Sequence, residues 1–159
     1  MAPPNLSSTL SVMSNHEPTS PETEVKTRVF AWCSAWSSIN GELLTGRLRE
    51  FVTDGPIRMV TDFGRHMAVS VSFDAYAAFW SPLLAETFAE WFLVIDSPID
   101  VRVSNNLAMA SFHTRLQGVT HDSSRKSQRQ HTRHMFENTG GIWRLVQEQT
   151  TIAPEGACL

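Results

Sequence analysis

The sequence predicts an α+β domain, in which a curved antiparallel sheet wraps around about three N-terminal helices and forms a cone with an internal pocket. Apolar residues recur at helical spacing in the first half of the chain, and strand patterns fill the second half. Helices followed by a run of strands are typical of α+β domains. The length of 159 residues and the 42% hydrophobic content suit one domain with its own core.

The first helix is predicted to begin at Pro21. Ser20 is a good N-cap, proline is tolerated at the first helical position, and Glu22 places an acid in the first turn. The preceding residues, 1–20, are rich in Pro, Ser and Thr, and we expect a disordered leader there. We expect the cone domain at residues 21–153 and a short tail at 154–159. The apolar stripe of the helix comprises Val25, Val29, Trp32, Trp36 and Ile39.

Two more helices and a short strand are predicted before the sheet. Residues 43–52 keep helical spacing and end at a turn over residues 53–56. Residues 57–62 are β-compatible. A third helix is predicted over residues 73–88, where Pro82 is expected to kink or shorten it.

The remaining strands are predicted at residues 91–104, with a bend near Pro98, and at 107–118, 127–137 and 142–152. In the first hairpin we expect Ala110 opposite His134. In the second, a four-residue loop at 138–141 would put His134 opposite Leu145. The inner face would then carry Ala108, Phe112, Gln130, Thr132, His134, Phe136, Trp143, Leu145, Gln147 and Gln149.

The same register leaves Arg144 and Glu148 on the outer face. A slip of one residue would exchange the faces of a strand. The cost of burying an unpaired charge argues against that slip.

Composition and spacing exclude several classes of function. A net charge of −3 gives no general attraction to nucleic acid or anionic membranes, and no apolar run approaches a membrane span. Cys33 and Cys158 suggest neither a disulfide framework nor a metal site, so a cytoplasmic location is expected. His131 and His134 would point to opposite faces of a strand and could not share a metal. The basic run at residues 125–129 is interpreted as a solvated hairpin end.

Several segments resemble the SnoaL-like branch of the nuclear transport factor 2-like superfamily. They are Trp32 and Trp36 in the first helix, the helix–turn–strand of residues 48–62, Val103-Ser104-Asn105-Asn106-Leu107-Ala108, and Gly141-Ile142-Trp143-Arg144-Leu145-Val146. The resemblance implies a cone that holds small apolar molecules. It also implies one of two functions, because the superfamily contains cofactor-free enzymes such as ketosteroid isomerase and scytalone dehydratase as well as non-catalytic binding modules.

By resemblance to ketosteroid isomerase, Asp62 would be the general base at the end of its strand. The alternative for Asp62 is a cap on the turn that follows it. His134, the one histidine on the predicted inner face, and His66, in the loop after Asp62, would assist. Each could instead be structural or solvated.

Other residues would bind the ligand. Many SnoaL-like sequences carry a His-x-His where this chain has Gln147 and Gln149, and an amide orients polar groups but exchanges no proton at neutral pH. Tyr76 is a candidate donor. The remaining predicted binding residues are Gln130, Thr132, Trp32, Trp36, Trp80 and Phe112.

The sequence thus predicts a cofactor-free isomerase, cyclase or dehydratase/hydratase that acts on a small, largely apolar molecule. We expect a homodimer that forms through the outer face of the sheet. The alternative is a non-catalytic binding or assembly module with the same fold.

Overall fold

The computed structural model describes residues 19–153, which form three helices and seven strands. The helices are α1 (Pro21–Trp36), α2 (Thr45–Arg49) and α3 (Phe73–Thr87). The strands are β1 (Arg58–Asp62), β2 (Met67–Ser70), β3 (Glu90–Ile95), β4 (Asp100–Ser104), β5 (Leu107–Val119), β6 (Arg125–Thr139) and β7 (Ile142–Ile152). Most of the predicted leader, and the whole predicted tail with Cys158, lie outside the described residues.

Helix α1 begins where the sequence predicts, because the Ser20 hydroxyl accepts a hydrogen bond from the Thr23 amide at 3.3 Å. It ends at Trp36, earlier than the predicted end near Ile39. Ser37 has extended backbone, and its hydroxyl accepts a hydrogen bond from the Leu93 amide of β3. This contact anchors the end of α1 to the sheet.

Helix α3 continues through Pro82 to Thr87, so the expectation that proline would shorten it is wrong. Proline removes one backbone hydrogen bond. Tyr76 and Trp80 precede the proline and Leu84 follows it, and all three are buried in the core. Burial on both sides of Pro82 outweighs the lost hydrogen bond.

The strands form one curved sheet in the order β2-β1-β7-β6-β5-β3, and β4 also pairs with β5. The β1–β7 pair is parallel, whereas every other pairing in this sheet is antiparallel. The predicted strand at 91–104 is divided into β3 and β4, which pair with successive parts of β5. Strand β2 was not predicted. The α+β class with helices against a curved sheet is confirmed.

The first hairpin has the predicted register, with Ala110 opposite His134. The predicted register of the second hairpin is wrong, because its turn consists of Gly140 and Gly141 alone, both with positive φ. Phe136 pairs with Leu145, yet Met135 pairs with Gln147. Val146 is therefore an extra residue in β7, a β-bulge.

The bulge changes which side chains of β7 face the helices. Before it, Trp143 and Leu145 are buried, as predicted. After it, Glu148 and Thr150 are buried and Gln149 is exposed. One inserted residue therefore exchanges the two faces of the last part of the strand.

No helix among residues 19–153 is both long enough and apolar enough to cross a membrane.

Candidate active site

A buried carboxylate lies at the centre of the cone. Glu148 is 5% exposed and faces side chains from α1, α3 and β6. Its Oε1 accepts a hydrogen bond from the Tyr76 hydroxyl at 2.8 Å. Its Oε2 accepts one from Trp32 Nε1 at 3.1 Å and lies 2.9 Å from His134 Nε2.

These contacts explain why an acid is tolerated in the core. An ionised carboxylate transferred from water into a low-dielectric interior is costly unless hydrogen bonds replace its hydration. Glu148 has such partners from three different elements, and each of the three partner side chains is itself buried to at least 98%. The carboxylate therefore links α1 and α3 to the sheet.

His134 is held on several sides by aromatic rings and by Glu148. Its ring lies edge-on to those of Phe112, Phe136 and Trp32, with centroids 5.0, 5.6 and 6.0 Å away. Nε2 contacts Glu148, while Nδ1 is buried with no hydrogen-bond partner in the described part of the chain. One ring nitrogen is thus fixed by Glu148, and the other has an unused hydrogen-bonding capacity.

Tyr76 is a neutral hydrogen-bond donor over the physiological pH range. Burial first, and then the neighbouring Glu148 carboxylate, raise the pKa of its phenol well above 10. Burial also raises the pKa of the Cys33 thiol, with a smaller contribution from Glu148. Cys33 is therefore a protonated, unreactive thiol in this wall.

Beside Glu148 and His134 lies a small inner cavity of about 20 Å³, which has room for about one water molecule. Its polar lining includes Thr114, Gln130, Thr132 and Thr150. Its apolar lining is Trp32, Trp36, Trp80, Leu93 and Phe112. The inner cavity therefore combines apolar walls with several hydroxyl groups and one amide.

A larger mouth cavity of about 590 Å³ opens between α3 and the start of β6. Trp80 and Gln130 line both cavities. These two side chains consequently stand between the mouth and His134.

The structure places Asp62 away from both cavities. It occupies the end of β1 on the face opposite the buried Thr61. Its carboxylate accepts a hydrogen bond from the Gly64 amide at 2.7 Å, as in a turn cap. The ring of His66 is exposed and stacks on Phe63, with centroids 4.7 Å apart. No ion pair joins Asp62 to His66.

Most of the predicted ligand-binding residues are buried, but the two that follow the bulge in β7 face the other way. Gln130, Thr132, Tyr76, Trp32, Trp36, Trp80 and Phe112 are buried. Gln147 and Gln149 lie beyond the bulge, on the face opposite Glu148, and neither lines the inner cavity. Their placement on the inner face is corrected by the observed register.

Sequence reasoning missed Glu148. A signal was present, because His134, Tyr76 and Trp32 were all expected inside and a buried donor requires an acceptor. Glu148 is the one acid of β7.

Among residues 19–153, no three His, Cys, Asp or Glu side chains lie close enough together to hold a metal ion. His131 lies on the outer face, where Nε2 is 3.0 Å from the Ser111 hydroxyl, and it does not approach His134.

Comparison with known proteins identifies the fold. No family model matches the chain, and no curated protein matches it by sequence. A nuclear transport factor 2-like superfamily protein from Salmonella enterica serovar Typhimurium superposes with a TM-score of 0.64 at 15% identity, covering 86% of this chain and 93% of its own.

Two further solved structures represent different functions. A candidate dehydratase of the NTF2-like family from Streptomyces avermitilis has a TM-score of 0.63 at 12% identity, covering 84% of this chain and 96% of its own. The CaMKII hub of S. rosetta has a TM-score of 0.58 at 14% identity, covering 86% and 100%. At such low identities, the similarity establishes only the fold. The chain therefore has the cone-shaped α+β fold of the NTF2-like superfamily.

Proposed function

We propose that this protein is a cofactor-free acid–base enzyme of the SnoaL-like branch, and that it acts on a small, largely apolar molecule in the cone. The observation that carries the proposal is the buried His134–Glu148 pair, whose second imidazole nitrogen has no hydrogen-bond partner among residues 19–153. An oriented imidazole beside an apolar cavity is a common arrangement for proton transfer.

In this proposal His134 exchanges the proton through Nδ1. With Nε2–H donated to the Glu148 carboxylate, Nδ1 carries the lone pair and can accept a proton from the ligand. The carboxylate then stabilises the imidazolium that forms. Tyr76 and Trp32 hold the carboxylate in place and thereby fix the imidazole.

A reaction that removes a proton at one atom and returns it at another fits these groups. Isomerisation, cyclisation and dehydration or hydration are of this kind. Gln130 and Thr132 supply hydrogen bonds to a polar group of the ligand, and the aromatic walls bind its apolar part. The role of base that the sequence suggested for Asp62 passes to His134, because Asp62 caps a turn outside the cavities.

The test compares matched histidine variants on a substrate found by screening small apolar ketones, enols and alcohols for turnover. His134→Gln should lower kcat by about a hundredfold or more, the usual loss when a general base is removed. His131→Gln, on the outer face of the same strand, should retain activity. Retained activity in His134→Gln together with lost activity in Asp62→Asn would assign the base to Asp62.

The second candidate is a non-catalytic assembly or binding module. Its support is the structural similarity to the S. rosetta CaMKII hub. The outer face of the sheet supports self-association, because Met109 pairs with Met135 there and each is more than one-third exposed. We infer a homodimer through this face.

Light scattering on the purified chain tests the dimer. Met109→Lys should dissociate it, whereas Met67→Lys on the edge strand β2 should not. A monomeric wild-type chain would contradict the dimer. Turnover that is unchanged in both His134→Gln and Asp62→Asn would refute the acid–base assignment, and no turnover of any screened compound would favour the module.

A further inference from the structure

The mouth cavity has an uneven distribution of charge. Its apolar wall is Phe63, Trp80, Leu83, Leu84, Phe88 and Ile152. It is also lined by Arg115, Arg125, Lys126 and Arg129, and no acidic residue lines it in the described part of the chain. Cationic residues with no acid among them favour an anionic group at this opening.

The four cations are not equivalent. The side chains of Arg115 and Arg129 share one carboxylate, since Arg115 Nη2 and Arg129 Nε lie 2.8 and 3.4 Å from Asp96 Oδ2. Lys126 has the same parity along β6 as the buried Gln130 and His134, so it lies on the inner face of the strand. Of the four, Lys126 is therefore the one whose strand position faces the mouth cavity.

The inner cavity, unlike the mouth cavity, lies beside a negative charge, the carboxylate of Glu148. Glu148 accepts its hydrogen bonds beside the inner cavity, and an anionic group placed there would face a carboxylate across a low-dielectric gap. A ligand with one charged end consequently has one favourable orientation, with its anionic end at the mouth and its apolar end inward.

The separation of these groups limits the shape of the ligand. Lys126 and Gln130 are four residues apart on one strand, about 13 Å at 3.3 Å per residue, and His134 is four residues further. A compact molecule cannot contact Lys126 and reach past Gln130.

We propose that the ligand of this site is an elongated, largely apolar molecule with a single anionic end, and that Lys126 at the mouth binds that end. The proposal rests on the proposed function, because it names the substrate class of the same site. It assigns a role to the basic segment 125–129, which the sequence alone presents as a solvated hairpin end.

Three ten-carbon probes that differ only in their end group test the proposal. Decanoate, 1-decanol and decylammonium are titrated below their aggregation concentrations, and binding is followed by calorimetry. Decanoate should bind about threefold more tightly than decanol, and decylammonium more weakly than either, as expected for one exposed ion pair with further cations nearby. Equal affinities, or no binding of decanoate, would overturn the proposal.

Charge-reversal variants locate the anionic subsite. Lys126→Glu should abolish the preference for decanoate over decanol. Arg133→Glu makes the same change at an exposed outward position of the same strand and should leave the preference intact. An unchanged preference in Lys126→Glu would refute the assignment.

Two further measurements separate this inference from the acid–base proposal and from a membrane surface. His134→Gln should bind decanoate with unchanged selectivity, so the ligand class stands even where catalysis fails. The protein should not co-sediment with anionic phospholipid vesicles on centrifugation. Lys126-dependent sedimentation with no decanoate binding would overturn the proposal in favour of a lipid surface.

Discussion

The hydrogen-bond network around Glu148 makes a quantitative prediction about stability. Glu148→Leu removes the acceptor of Tyr76 and Trp32 and the partner of His134, all of which are buried. Breaking a buried charged network by removal of one member costs about 3–5 kcal/mol. The free energy of unfolding should fall by that amount in urea titrations followed by circular dichroism.

A double-mutant cycle with Tyr76→Phe distinguishes the network from simple loss of packing. In the wild type, Tyr76→Phe removes one hydrogen bond to a charged group and should cost about 2 kcal/mol. In Glu148→Leu the buried Tyr76 hydroxyl has lost its acceptor, so the same substitution should regain about 1 kcal/mol. The two effects differ in sign, and the coupling free energy is about 3 kcal/mol.

The matched control is Glu90→Leu, at an exposed position of β3. Its effect should add to that of Tyr76→Phe within about 0.5 kcal/mol. Additive behaviour of Glu148→Leu and Tyr76→Phe within the same margin would refute the network as a unit of stability. The prediction that Glu148 orients His134 would lose its support with it.

Other parts of the molecule give three further predictions. A Cβ at Gly118 would clash with the backbone oxygen of Glu90, so Gly118→Ala should lower the unfolding free energy by about 3 kcal/mol in urea titrations. A change below about 0.5 kcal/mol would contradict this clash. The hydrogen bond from the Thr120 hydroxyl lowers the pKa of Asp122 from 3.8 to about 2. The ionised carboxylate therefore contributes stability that is fully present above pH 3.8 and is lost as the pH falls through about 2. An NMR titration that gives an ordinary pKa for Asp122 would contradict this prediction. Burial, and then neighbouring positive charge, lower the pKa of His131 from 6.5, so stability should decrease as pH falls below 6.5, and His131→Gln should flatten that slope; an unchanged slope would exclude His131 as its source.

The helices and the first hairpin could be predicted because local chemistry determines them. Ser20 and Pro21 mark the start of α1, and the alternation along β5 and β6 sets a register that puts His134 inside. Pro82 shows where such local rules fail. Its cost is local, but the burial of Trp80 and Leu84 on either side of it is decided by the whole fold.

The candidate site was only partly predictable, and a single residue accounts for the difference. The sequence correctly placed Trp143 and Leu145 inside, but a regular strand continued from them turns Gln147 and Gln149 inward and Glu148 outward. The bulge at Val146 reverses this. Such a bulge leaves no distinct local signal here, since Val146 is a good strand residue.

Glu148 is expected on the outer face only if its partners in the interior are left out of account. Burying an unpaired charge is costly, yet the partners were already on the predicted inner face, where His134, Tyr76 and Trp32 together lacked an acceptor. Donors and acceptors in a core must be counted together, because the free-energy cost of burying a donor is removed only by an acceptor, and the reverse. Counted in this way, the three donors favour the register that brings the acid of β7 inside, and with it the carboxylate that fixes the imidazole of His134.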